Sequence, residues 1–83
     1  MNDVNKTIAF STENLKKLSM KDKVSQVYDA LEVKGYNATN QLIGYLLSED
    51  PTYITSYNSA RQLVTKIDRY ELLAEMLEAY LNS

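Results

Sequence analysis

Three breaks in a helical pattern limit what this chain can fold into: Lys34-Gly35-Tyr36-Asn37, Asp50-Pro51, and Asp68 with Glu71 three positions on. Gly35 stands where a helix C-terminus takes a left-handed residue, and Tyr36 is placed to fold back onto the last turn as in a Schellman cap. Asn37 can accept from the unpaired amides of a following helix, which puts Ala38 at its first position. Asp50-Pro51 repeats the signal of a cap followed by proline. It opens at most one short turn through Tyr53 and Ile54, because Thr52, Ile54 and Thr55 are β-branched and poor in helices. Asp68 and Glu71 have the spacing of a capping box opening a final helix; pattern leaves open two separate segments or one kinked rod, and the box favours a break.

Between the breaks the apolar residues fall at helical spacing. Val24, Val27, Tyr28 and Leu31 form one face of a helix beginning near Ser19. Leu42, Ile43, Tyr45, Leu46 and Leu47 make a band wider than one stripe, which predicts burial on more than one side and places the second helix at the centre of the core. Gly44 inside that band costs up to about 1 kcal/mol relative to alanine, so a close crossing by another helix is the expected reason for it. Ala60, Leu63, Val64 and Ile67 restore the stripe, and the last helix is expected to bury Leu72, Leu73, Met76, Leu77, Tyr80 and Leu81. Residues 1–18 show no stripe and read as a flexible N-terminal tail with one β-prone island, Thr7-Ile8-Ala9-Phe10. The helical domain is 19–83. The reading is all-α: a compact bundle of about four to five short helices with a mobile tail.

At 83 residues the chain makes one domain at most. A domain of that length buries only about 60% of the surface its unfolded chain exposes, and such thin cores usually need a staple or a partner. With Cys 0 and His 0, a disulfide and the usual zinc ligands are both excluded. The remaining carboxylates show no calcium-loop spacing, so no metal and no cofactor is expected. Self-association is the remaining route, which predicts a homodimer. The missing histidine and cysteine also remove the commonest general base and the most easily activated nucleophile, and Gly 2 leaves no glycine-rich phosphate cradle. No catalytic residues are assigned, because Glu71, Glu75 and Glu78 at helical spacing read as a solvated face.

A net charge of −2 disfavours nucleic acid as a partner. The alternative of a small helix-turn-helix-like nucleic-acid-binding protein requires a basic recognition helix, and the second helix has no Lys or Arg. No apolar run approaches the ~20 residues a membrane span needs, so no membrane insertion and a cytoplasmic location are expected. Tyr 7 is a heavy load for this length. Tyr28, Tyr45 and Tyr80 fall on predicted core faces, whereas Tyr36, Tyr53, Tyr57 and Tyr70, near helix ends, are candidates for a subunit or partner interface.

The strings Lys34-Gly35-Tyr36-Asn37-Ala38-Thr39-Asn40-Gln41, Gly44-Tyr45, Leu47-Ser48-Glu49-Asp50-Pro51-Thr52-Tyr53 and Tyr57-Asn58-Ser59-Ala60-Arg61 carry a further signal in their mutual spacing. The chain resembles, without a gap, the IreB-like family of small regulatory phosphoproteins, whose pattern reads KGYNPxNQ, GYxLSGDPxY, RYNDAR and RDE. The resemblance implies phosphorylation on N-terminal threonines by a membrane Ser/Thr kinase with PASTA ectodomains, opposed by a cognate phosphatase. Thr7 falls on one family acceptor, and Val4 occupies the second. It implies control of peptidoglycan synthesis through protein contacts, by governing Clp-type proteolysis of an early precursor enzyme. Arg61, Lys66 and Arg69 are the candidate partner-binding residues. Arg61 and Arg69 would share a face on a continuous helix with Thr65 between them. The family pattern has arginine at that position and at Ser56, and this chain has neither.

Overall fold

The computed structural model describes residues 18–83. Four α-helices, α1 (Met20–Val33), α2 (Ala38–Ser48), α3 (Ala60–Val64) and α4 (Arg69–Leu81), are joined with two 3-10 turns, Pro51–Tyr53 and Tyr57–Ser59. No strand occurs among the described residues. Of the predicted tail, 1–17 lie outside the described residues. Leu18, its last residue, is half-buried against the core.

Each predicted break is made by the bonds its residues can form. Ser19 caps α1, its Oγ accepting from the Asp22 amide at 3.1 Å. At the other end Gly35 takes φ +84°, with Tyr36 N–H donating to Leu31 O at 2.9 Å and Gly35 N–H to Glu32 O at 2.9 Å. This is the six-to-one and five-to-two pairing of a Schellman cap. Asn37 Oδ1 accepts from Asn40 N–H at 3.0 Å and starts α2 with Ala38 buried at its first position. Asp50 Oδ1 takes the Thr52 amide and hydroxyl at 3.0 and 2.7 Å to start the first 3-10 turn. Asp68 Oδ1 accepts from Glu71 N–H at 3.1 Å, so α3 and α4 are separate helices.

The core lies elsewhere than expected. Its fully buried large side chains are Val27 and Leu31 of α1, Ile54 of the connector and Val64 of α3. The second helix is a flank: Ala38 and Tyr45 are buried, Leu42 and Leu46 half-buried, and Ile43 and Leu47 face outward, Leu47 at 83% exposure. The wide apolar band is therefore covered on one side only. Gly44 is also explained differently. No helix crosses it; a Cβ there would sit 2.5 Å from the ring of Tyr53, which the 3-10 turn lays across the backbone of α2.

The last helix departs furthest from expectation. Leu72 alone of α4 is buried, while Leu73, Met76, Leu77, Tyr80 and Leu81 are exposed. Tyr80, predicted to be core, is 78% exposed. The stripe is present, but among the described residues little lies against it.

Candidate functional site

Two features that a periodicity argument cannot supply shape the surface after Pro51. Asn58 and Ser59 both take left-handed backbone angles, φ 58° and 62°. Asparagine enters that region more readily than most residues. This double kink turns the chain sharply into α3, where Ala60, Leu63 and Val64 are drawn into the core. Arg61 is left at the surface with its stem fixed, its Nε donating to Ile54 O at 2.8 Å. Beside it opens a cleft of about 470 Å³ lined by Pro51, Ser56, Ser59, Arg61, Gln62 and Thr65.

The three basic candidates have different surroundings. Arg61 keeps four of its five N–H donors without a hydrogen-bond partner among the described residues, and it lines the cleft. Arg69 is engaged: one terminal nitrogen donates to Leu46 O at 2.6 Å and the other pairs with the Glu49 carboxylate. It ties the start of α4 to the end of α2. Lys66 is exposed, and its backbone carbonyl accepts from Lys23 Nζ at 3.2 Å. Because α3 ends before Asp68, Arg61 and Arg69 do not form one helical row. They hold the two ends of the connector, Arg69 before the first 3-10 turn and Arg61 after it.

Asp50, inside that connector, has its carboxyl held below the ordinary aspartate range. The Thr52 hydroxyl bond is the main cause, followed by the Thr52 amide and the nearby Arg61 charge. The candidate interface tyrosines are all exposed to some degree. Tyr53 packs on Gly44, Tyr57 receives the Lys34 ammonium 5.4 Å from its ring centroid, and Tyr70 is 81% exposed on α4. Thr7 lies outside the described residues.

Residues 5–82 match the family model described as IreB regulatory phosphoprotein. The chain belongs to the IreB family of regulatory phosphoproteins. The match covers all four helices as well as the position of Thr7. Membership gives the departures at Ser56 and Thr65 a common location, since both line the cleft that holds Arg61. Sequence reasoning named the two positions but could not bring them together, because the left-handed Asn58-Ser59 pair that does so leaves no periodic trace. Gln62 was not named, and Ser59 entered only as part of the string Tyr57-Asn58-Ser59-Ala60-Arg61. Among the described residues no helix is long and apolar enough to cross a membrane.

Proposed function

We propose that this protein is a non-enzymatic, cytoplasmic regulatory switch, phosphorylated on Thr7 by a membrane Ser/Thr kinase of the PASTA type and reset by a cognate phosphatase. It controls peptidoglycan synthesis through protein contacts, by governing Clp-dependent proteolysis of a precursor enzyme. The observation that carries this reading is the family match across 5–82, which takes in Thr7. A phosphate there adds about −1.5 to −2 charge and three strong acceptors, enough to alter how a neighbouring segment pairs with charged surfaces.

The Arg61 cleft is the contact proposed for the protein partner. Its fixed guanidinium stem and ring of hydroxyl and amide side chains suit a polar segment bearing one carboxylate or phosphate. A second copy of the chain is proposed to cover the outer face of α4, where Tyr70, Leu73, Leu77, Tyr80 and Leu81 are exposed. Contiguous apolar surface of this kind marks an interface in small soluble domains. Sedimentation showing a folded monomer at micromolar concentration would remove the dimer.

Incubation of the full chain with a PASTA-type kinase and ATP, followed by mass mapping, tests the switch. Phosphate on Thr7 is the expected result. Phosphate confined to serines of the helical domain, or none, overturns it.

A further inference from the structure

Between α1 and α4 runs an apolar groove in two lobes, about 310 Å³ and 210 Å³, that share Val24, Leu72 and Met76, the smaller walled also by Leu42, Ile43 and Leu46 of α2. The larger lobe opens between Met20 and Lys21 at the start of α1 and Met76 and Ala79 of α4. Its charged lining residues are Lys21 and Glu75. Of the α4 residues that line it, Leu72 is buried and Met76 is half exposed.

We infer that the groove is the seat of the same chain's N-terminal segment, with the island Ile8-Ala9-Phe10 inserted between α1 and α4. The described chain begins at the mouth of the groove, with Leu18 turned onto the core and Met20 and Lys21 forming the rim. Eight residue steps separate Phe10 from Leu18. Extended, they span roughly 26 Å, whereas the groove follows α4 from Leu72 to Ala79, about 10 Å of helix. A short tether raises the local concentration of the island to the millimolar range, an advantage that no separate occupant has.

Charge points the same way. Residues 5–17 carry Lys6, Lys16 and Lys17 against Glu13, a net +2, while α4 carries Glu71, Glu75 and Glu78 against Arg69, a net −2. A phosphate on Thr7, next to the island, would cancel that balance with its own charge of about −2 and favour release. This consequence rests on the reading of Thr7 as the acceptor; the seating of Phe10 does not.

The composition makes the test clean, since the chain has Phe 1 and Met 3, of which Met20 and Met76 line the groove. Full-length, unmodified protein with labelled phenylalanine ring and methionine methyls is examined by NMR. Cross-peaks from the Phe10 ring to the Met20 and Met76 methyls are expected, and in Phe10→Ser both methyls should shift while the Tyr45 and Leu31 signals stay in place. Absence of the cross-peaks, with methyl shifts unchanged in Phe10→Ser, overturns the seating. In a sample mixing methionine-labelled with phenylalanine-labelled copies, cross-peaks between copies overturn the same-chain assignment. Thr7→Glu should weaken the cross-peaks severalfold; undiminished intensity overturns release. The first measurement needs no kinase, so failure to phosphorylate Thr7 would defeat the regulatory reading and leave the seating standing.

Discussion

The α1–α3 half of the molecule and α4 carry the same kind of apolar stripe and put it to opposite use. Along α1 and α3 the stripe is consumed: Val27, Leu31 and Val64 are fully enclosed and close on Ile54 of the connector. Along α4 only Leu72 is enclosed, and the helix is fastened at its start by the Asp68 cap and the two bonds of Arg69. Helical periodicity states that a face must be covered. It says nothing of whether the cover comes from the same bundle, from another segment or from another copy.

Truncation on each side gives the largest contrast. Leu31→Ala removes a side chain with 0% exposure, and buried leucine truncations cost about 2–5 kcal/mol. In a domain whose total stability is of order 4–12 kcal/mol, thermal unfolding should fall by roughly 10 °C or more. Leu77→Ala, at an exposed α4 position, should leave the unfolding of the single copy within about 0.5 kcal/mol. It should instead weaken self-association, read by sedimentation. Equal losses of thermal stability from the two substitutions would erase the distinction between the halves.

The second test concerns how α2 is held to the connector. Gly44→Ala places a methyl in the space of the Tyr53 ring, which is 41% exposed and able to swing outward. The gain in helix propensity, up to about 1 kcal/mol, is offset by the lost ring contact, so net stability should move little. In a Tyr53→Ala background the three nearest atoms that oppose the methyl are gone, and the added Gly44→Ala should then stabilise by up to about 1 kcal/mol in denaturant titration. A loss in that background would mean that something besides the ring crowds Gly44.

How much of this was legible follows from the reach of each interaction. The caps at Gly35, Asn37, Asp50 and Asp68 join residues two to five positions apart, so the pattern that encodes them is local and could be read. Arg69 could not be placed in advance because its partner carbonyl at Leu46 is twenty-three positions away. Gly44 was recognised as a close approach, but the approaching group is an aromatic ring of a 3-10 turn, which leaves no periodic signature. The Arg61 cleft depends on two consecutive left-handed residues at Asn58 and Ser59, conformations that composition permits but does not demand.

Glu49 supplies a smaller effect at the junction of the two halves. It ends α2 with φ 62°, a backbone region that glycine enters without strain. A side chain there carries a strain of order 1 kcal/mol, which glycine would relieve. Glu49→Gly also deletes the pair with Arg69, whose partners are 67% and 30% exposed and whose contribution at such exposure is about 0–1 kcal/mol. The expected net change is therefore a few tenths of a kcal/mol. The sharper readout is faster amide exchange at the first turn of α4, since Arg69 keeps only its bond to Leu46.

The smallest effect is a pH response of the connector itself. Asp50 titrates below its usual value of 3.8 because the Thr52 hydroxyl and amide hold its ionised form, with Arg61 adding to the same effect. A carboxyl whose folded value is depressed contributes its stabilisation in full above the unfolded value, and loses it as pH falls through the folded one. The turn at Pro51–Tyr53 should thus be unaffected from neutral pH down to about 4 and loosen only below 3.8. The Thr52 amide resonance, followed by NMR during acidification, should move with a midpoint under 3.8, and in Thr52→Val that midpoint should rise as the hydroxyl bond is lost. A midpoint at or above 3.8 in the unaltered protein would show that the carboxylate does not hold the turn. The connector would then be held by Arg61, by Arg69, by the Gln41 side-chain bond to Tyr53 O and by the burial of Ile54.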